Sequence, residues 1–147
     1  MGVRNNLGAL FLYRWHPHHL RRVMPRSDHN LNGCRVFIVE DEYLLANDLE
    51  EALVARGARI VGPYSDFEAA YRRAARDHFD VAIIDINLRD KAAYPIADDL
   101  IQQRIPFVFC TGYGDRSIPE RFAGVKVWQK PFDLSKVIED IEHLYRQ

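Results

Sequence analysis

The sequence predicts an α/β fold built on a doubly wound, five-stranded parallel sheet. From Arg35 onwards, short runs of apolar and β-branched residues alternate with segments of helical periodicity, a pattern typical of βαβ units. The chain has 147 residues, 48% of them hydrophobic, which suits one compact domain with its own core. A small sheet with helices on both faces accounts for both observations.

Five short apolar runs are the predicted strands. They lie at Val36–Val39, Ile60–Gly62, Val81–Ile84, Phe107–Cys110 and Val125–Trp128. All are far shorter than the about 20 apolar residues that cross a bilayer. We therefore expect no membrane segment.

Two helices are predicted before the third strand. The first covers residues 42–56, with Gly57 as a left-handed stop. Its apolar face carries Leu45, Leu49, Ala52 and Leu53. The second begins with a capping box, in which Ser65 and Glu68 each satisfy a free helix-end amide, and continues to about Asp77.

Three further helices are predicted in the second half of the chain. The third starts at Pro95, a favoured first-turn residue. Its inward residues are Ile96, Ala97, Leu100 and Ile101. The fifth follows Asp133 as N-cap. Its buried residues are Leu134, Val137, Ile138, Ile141 and Leu144. Between them, three glycines and Pro119 permit only a short fourth helix near residues 118–122, and we expect this segment to be mobile.

Residues 1–33 are predicted to be a disordered N-terminal tail, and residues 34–147 the folded domain. The tail shows no sustained periodicity, and Met24 is an alternative start. Residues 1–34 contain five Arg and one Asp, which leaves 15 basic and 20 acidic residues for the remainder. A domain with this acidic excess has no electrostatic footprint for nucleic acid, so we expect none as a partner.

The cysteines and histidines form no recognisable disulfide or metal motif. Cys34 and Cys110 make no paired framework, and no cleavage site follows the N-terminal apolar stretch, so a reducing cytoplasm is the expected location. The run His16-Pro17-His18-His19 lacks the spacing of a preformed metal site, and a solvated tail is the simpler interpretation.

Polar side chains close four of the predicted strands. The first strand ends in Glu40-Asp41-Glu42, the third in Asp85, the fourth in Thr111 and the fifth in Lys130. Each residue alone has a structural explanation, such as a helix cap or a solvated charge. In an open parallel sheet, however, ligands bind outside the carboxyl ends of the strands. The combination therefore predicts a site at that edge.

Mg²⁺ is the predicted cofactor of this site. Crowded carboxylates repel one another unless a cation neutralises them, and oxygen ligands without Cys or His favour Mg²⁺ over Zn²⁺. In this interpretation Asp41 and Asp85 bind the metal directly, and Glu40 acts through a water molecule. The backbone carbonyl of Asn87 adds a neutral ligand.

An aspartate beside Mg²⁺ and a lysine can attack a phosphorus atom, because both cations offset the charge on the transferring oxygens. Asp85 is therefore the candidate nucleophile. Lys130 and the hydroxyl of Thr111 are the candidate contacts to phosphoryl oxygens.

These motifs resemble the signature of response-regulator receiver domains. The matching stretches are Phe37-Ile-Val-Glu-Asp-Glu42, Ile83-Ile-Asp85, Thr111-Gly112 and Lys130-Pro131-Phe132. The resemblance implies a flavodoxin- or CheY-like sheet of strand order 2-1-3-4-5. It also implies that a histidine kinase or a phosphotransfer protein phosphorylates Asp85, with slow autodephosphorylation instead of enzymatic turnover. Because the chain ends with the fifth helix, we expect a single-domain regulator that docks to an unknown partner or drains phosphate.

A narrower resemblance is to the FATGUY subgroup of receivers. It is carried by Asp85–Leu88, Tyr94–Asp98, Ile105–Gly114, Pro119–Phe122 and Gln129–Phe132, with Cys110 where the subgroup usually has Ala. The subgroup is commonly without an output domain and is often linked, in alphaproteobacteria, to histidine kinases of the HWE type. An HWE kinase is therefore the implied partner.

The chain departs from the general receiver pattern at two positions. Val127 stands where receivers carry a switching Tyr or Phe, and strand alternation places its neighbour Trp128 on the opposite face. Arg89 replaces a frequent proline. Asn87 and Tyr113 flank the expected path of attacking water, and we expect them to tune the phosphoryl lifetime.

Two other functions are compatible with parts of the pattern. A pseudo-receiver would bind partners without phosphorylation, but the complete set of site residues argues against it. A phosphohydrolase of the haloacid-dehalogenase kind would carry a second Asp where Asn87 stands.

Contact with the kinase is expected near the first helix and the loop after the fifth strand, where Leu44, Leu45 and Phe132 are candidates.

Overall fold

The computed structural model describes residues 30–112 and 118–147. The strands are β1 Arg35–Val39, β2 Arg59–Tyr64, β3 Val81–Asp85, β4 Asn87–Leu88, β5 Lys91–Ala92, β6 Phe107–Thr111 and β7 Val127–Gln129. The helices are α1 Tyr43–Ala55, α2 Phe67–Arg76, α3 Tyr94–Gln102 and α4 Leu134–Arg146, with a 3₁₀ turn at Glu120–Phe122. None of the helices in these two ranges is long and apolar enough to cross a membrane.

Five of the strands form one parallel sheet in the order β2-β1-β3-β6-β7. Counting only these five, the order is 2-1-3-4-5, so the predicted flavodoxin-like fold is confirmed. The remaining two strands, β4 and β5, pair antiparallel in a small hairpin directly after β3. This hairpin was not among the predicted elements.

The sheet has an apolar core on each face, because neighbouring side chains of a strand point to opposite sides. All five residues of β3 are buried. Ile84 joins the core under α2 and α3, and Ile83 joins the core under α1 and α4. This burial on both faces explains why the strands read as continuous apolar runs.

The helix ends confirm two of the predicted signals and correct a third. Gly57 has φ +94° after α1, as predicted for a left-handed stop. Asp133 caps α4 by accepting a hydrogen bond from the backbone N–H of Ser135. The capping box at Ser65 is wrong, because α2 starts two residues later and Asp66 is its N-cap, accepting from the N–H of Ala69 at 3.0 Å.

Two burial predictions also need correction. Ile101 is 45% exposed, whereas the neighbouring Leu100 is completely buried, so the inward face of α3 consists of Ile96, Ala97 and Leu100. Leu31 was assigned to the tail but is completely buried, and its N–H donates to the carbonyl of Arg56. The packed part of the chain therefore begins before Cys34. Residues 1–29, where the disordered tail was predicted, lie outside the described residues.

The predicted short fourth helix corresponds to the 3₁₀ turn, and aromatic packing joins this turn to α3. Phe122 is buried and stacks on Tyr94 with 5.4 Å between ring centroids. Arg121 binds Asp98 through two hydrogen bonds of 2.8 and 3.2 Å. Residues 113–117, to which the prediction of mobility extended, lie outside the described residues.

Candidate functional site

Three carboxylates meet at the carboxyl end of the sheet. Because β1 pairs with β3 in parallel, Glu40 and Asp41 after β1 lie beside Asp85 at the end of β3. One carboxylate oxygen from each residue lies within 4.8 Å of the other two. Glu40 and Asp85 are each only 3% exposed, whereas Asp41 is partly exposed. The structure thus brings together the three acidic residues that the sequence analysis proposed as metal ligands.

Lys130 places its ammonium group among these carboxylates. Its backbone N–H donates to the carbonyl of Thr111 at 2.8 Å, which fixes the end of β7 beside β6. Its Nζ lies 2.5 Å from Glu40 Oε1, 3.0 Å from Asp85 Oδ2 and 3.1 Å from Glu42 Oε1. Its contacts to Glu40 and Asp85, whose side chains are 2% and 4% exposed, are shielded from bulk water, whereas the Glu42 side chain is 62% exposed.

Two backbone amides of the hairpin donate hydrogen bonds to carboxylates of the site. The N–H of Asn87 donates to Asp85 Oδ1 at 3.1 Å, and the N–H of Arg89 donates to Asp41 Oδ2 at 3.2 Å. Arg89 and Asp90 have φ values of 45° and 72°, as in a type I′ hairpin turn. Proline cannot adopt this φ, so the hairpin accounts for the absence of proline at Arg89.

The charges in the site are strongly coupled. Burial, and then the hydrogen bond and charge of Asp85, raise the pKa of Glu40 to about 9 even though Lys130 offsets part of the rise. Burial opposes the charged form of Lys130, but the hydrogen bonds and charges of Glu40 and Asp85 outweigh this and raise the pKa of Lys130. A site with this excess of negative charge favours binding of a further cation.

The donor set fits Mg²⁺ on chemical grounds. Three carboxylates supply hard oxygen ligands, and the partly exposed Asp41 leaves one side open to the water molecules that Mg²⁺ retains. Cys110, the nearest soft ligand in β6, has a pKa raised by burial and by Glu40 and Asp85, which opposes the thiolate that metal binding requires.

Residues 36–142 match the family model of the response regulator receiver domain. The chain belongs to this family. Receiver domains are the part of response regulators that acts in two-component signalling, and they are generally phosphoacceptors without enzymatic activity of their own.

Relatives of known structure or function agree with this assignment. The chain is 38% identical to SdrG from Sphingomonas melonis Fr1, covering 76% of this chain and 95% of that one with a TM-score of 0.67. The BeF3-activated conformation of SdrG from Pseudomonas melonis Fr1 matches at 37% identity over the same shares, with a TM-score of 0.61. The sensory transduction protein LytT of Bacillus anthracis is 25% identical over 117 residues, 77% of this chain and 48% of LytT. The chain thus spans about half the length of the curated relatives it matches.

The two candidate switch residues, Val127 and Trp128, lie on opposite faces of the sheet. Val127 packs against the core under α2 and α3, whereas Trp128 packs under α1 and α4 and donates from Nε1 to Asp140 at 2.7 Å. Trp128 therefore faces away from Thr111, as strand alternation predicted. Thr111 is half-buried at the end of β6. Tyr113 lies outside the described residues.

A groove lies beside the site, between the start of α1 and the loop after β7. Its volume is about 480 Å³. Its lining residues are Glu42, Leu44, Leu45, Asp48, Gly112, Lys130, Pro131, Phe132 and Leu134. Leu44 is 76% exposed, so the groove presents apolar surface to solvent with acidic groups at its rim.

Sequence reasoning missed two features of the site. It assigned no role to Glu42, although this residue belongs to the strand-end run Glu40-Asp41-Glu42 and contacts Lys130. It also missed the hairpin in which the N–H of Arg89 donates a hydrogen bond to Asp41. The first feature had a sequence signal in the third acidic residue, but the second had none, because the turn carries no glycine or asparagine.

Proposed function

We propose that this receiver accepts a phosphoryl group on Asp85, with Mg²⁺ bound, from the phosphohistidine of a histidine kinase or phosphotransfer protein. The observation that carries the proposal is the cluster of Glu40, Asp41 and Asp85 with the Nζ of Lys130 3.0 Å from Asp85. The similarity to SdrG, a protein with a BeF3-activated conformation, supports it.

In the proposed reaction the phosphoryl group passes to Asp85 by an in-line displacement. A carboxylate oxygen of Asp85 attacks the phosphorus, the P–N bond breaks, and the electron pair stays on the imidazole nitrogen, which then takes up a proton. Lys130 donates to one phosphoryl oxygen and the hydroxyl of Thr111 to another. Water later attacks the phosphorus, the P–O bond breaks, and Asp85 and inorganic phosphate are released.

The metal ligands follow from the same cluster. Asp41 and Asp85 would bind directly, Glu40 through water, and Asn87 through its carbonyl oxygen. Bound Mg²⁺ supplies positive charge beside the transferring oxygens. The N–H of Asn87 meanwhile holds Asp85 Oδ1 in place. Asn87 and Tyr113 are proposed to tune the phosphoryl lifetime through their effect on the attacking water.

The groove beside the site is the proposed docking surface for the phosphodonor. Its exposed Leu44, with Leu45 and Phe132, offers apolar contacts, and Glu42 and Asp48 offer negative charge. An amphipathic helix that carries the phosphohistidine and basic residues fits this surface. The FATGUY motifs support an HWE-type kinase as donor, and a role as a single-domain regulator or phosphate sink.

Transfer of radiolabel from a phosphorylated kinase tests the proposal. We expect labelled receiver with the wild-type chain and none with Asp85→Asn. Asp90→Asn is the matched control, because it removes the same charge from the adjacent hairpin turn and asparagine tolerates positive φ. Label that persists in Asp85→Asn, or a wild-type chain that takes up none, would support the pseudo-receiver alternative or another acceptor.

A further inference from the structure

Lys130 has as many carboxylate contacts as it has N–H donors. Its Nζ donates hydrogen bonds to Asp85 Oδ2 at 3.0 Å and to Glu42 Oε1 at 3.1 Å, and it lies 2.5 Å from Glu40 Oε1 in an ion pair without hydrogen-bond geometry. The ammonium group is thus shared among three carboxylates, and a further acceptor has to compete with them for it. A phosphoryl oxygen on Asp85 would be such an acceptor.

The three carboxylates differ in burial and in what else they face. The side chains of Glu40 and Asp85 are 2% and 4% exposed and belong to the cluster that would hold the metal. The side chain of Glu42 is 62% exposed and is not part of that cluster. A bound cation would offset the charges of Glu40 and Asp85, whereas Glu42 would keep its full attraction for Lys130.

We propose that Glu42 is a positioning residue that acts through Lys130, holding the ammonium group toward α1 in the resting state and competing with the phosphoryl group for it. This inference rests on the proposed function. Glu42 thereby weakens the hold of Lys130 on the phosphoryl group and shifts the equilibrium toward the unmodified receiver.

The size of the effect follows from the exposure of the pair. An exposed ion pair is weak and is screened by salt, so the competition corresponds to about a two- to five-fold change in affinity. Glu42→Gln keeps the shape of the side chain and removes the charge. Beryllofluoride with Mg²⁺ is a suitable probe, because it mimics the phosphoryl group on an aspartate without being hydrolysed.

The experiment is a titration of the full chain with beryllofluoride at saturating Mg²⁺, followed by fluorine NMR. We expect Glu42→Gln to bind about two- to five-fold more tightly than wild type at low salt, with the difference shrinking at high salt. Glu51→Gln is the control, because it removes an exposed charge from the same helix away from the site. We expect its affinity to equal that of wild type.

A double-variant comparison separates positioning from a general effect of charge or stability. In a Lys130→Gln background, Glu42→Gln should no longer change the affinity, because the residue through which it acts is absent. Unchanged or weaker binding by Glu42→Gln in the wild-type background would overturn the inference, as would an effect that persists without Lys130. Failure of the wild-type receiver to bind beryllofluoride would instead overturn the proposed function.

Discussion

The ion pair between Arg56 and Glu142 should contribute more to stability through one partner than through the other. Arg56 caps the C-terminal end of α1, and its Nη1 lies 2.5 Å from Oε1 of Glu142 on α4. The side chain of Arg56 is 36% exposed, whereas that of Glu142 is 1% exposed. Water can therefore rehydrate the arginine more readily than the carboxylate when the partner is changed.

This difference sets the magnitudes. Glu142→Gln keeps the volume and a hydrogen-bond acceptor, and it exchanges a charged for a neutral hydrogen bond, so we expect a loss of about 1 kcal/mol in the free energy of unfolding. Arg56→Met removes one cation that contacts a buried carboxylate, so we expect a larger loss, of about 2 kcal/mol. The double variant should lose less than Arg56→Met alone, because the buried charge is gone.

Urea unfolding of the four proteins, followed by far-UV circular dichroism, measures these free energies. Equal losses in the two single variants, or a larger loss in Glu142→Gln, would refute the reasoning that burial of the carboxylate decides the cost. A double variant less stable than both single variants would refute it as well.

Three further predictions concern stability, each measured by urea unfolding. Asp66→Ala should lower the free energy of unfolding by about 1 kcal/mol and Ser65→Ala by much less, because Asp66 is the residue that caps α2. Equal losses would support a capping box at Ser65 instead. Phe122→Ala should cost about 3 to 5 kcal/mol, whereas Leu44→Ala at an exposed position should cost under about 0.5 kcal/mol; similar losses would contradict the packing described. Hydrogen bonds lower the pKa of Asp133, so its contribution is present above the usual aspartate pKa and is lost as the pH falls; Asp133→Asn should reduce this acid dependence, and an unchanged pH profile would contradict it.

The fold could be predicted because burial on both faces leaves a clear signal in parallel strands. β3 is buried throughout, and its apolar run identified it without reference to the rest of the chain. The strand-end residues Asp85 and Lys130 were also predictable, since topology alone places them at the same edge. Their direct contact of 3.0 Å agrees with that expectation.

Errors arose where several residues could serve the same local role. Ser65 and Asp66 are both good N-caps, and only the path of the chain after β2 selects Asp66. Ile101 continues the apolar period of α3, but only Ile96, Ala97 and Leu100 of this helix are buried. Local periodicity does not report where the next element lies.

Long-range polar contacts were beyond sequence reasoning. The burial of Glu142 depends on α1 and α4 packing side by side, a pairing that no local pattern encodes. The motif stretches around Tyr94 and Pro119 were recognised separately, but only the structure shows that Phe122 stacks on Tyr94. Specific partners of this kind depend on tertiary packing.

Intact-mass spectrometry of the receiver with acetyl phosphate tests whether a metal in the acidic cluster makes Asp85 competent to accept phosphate. We expect a single phosphoryl adduct in the presence of Mg²⁺, none after chelation of the metal, and none in Asp85→Asn. An adduct of equal yield without Mg²⁺, or one retained in Asp85→Asn, would contradict this expectation.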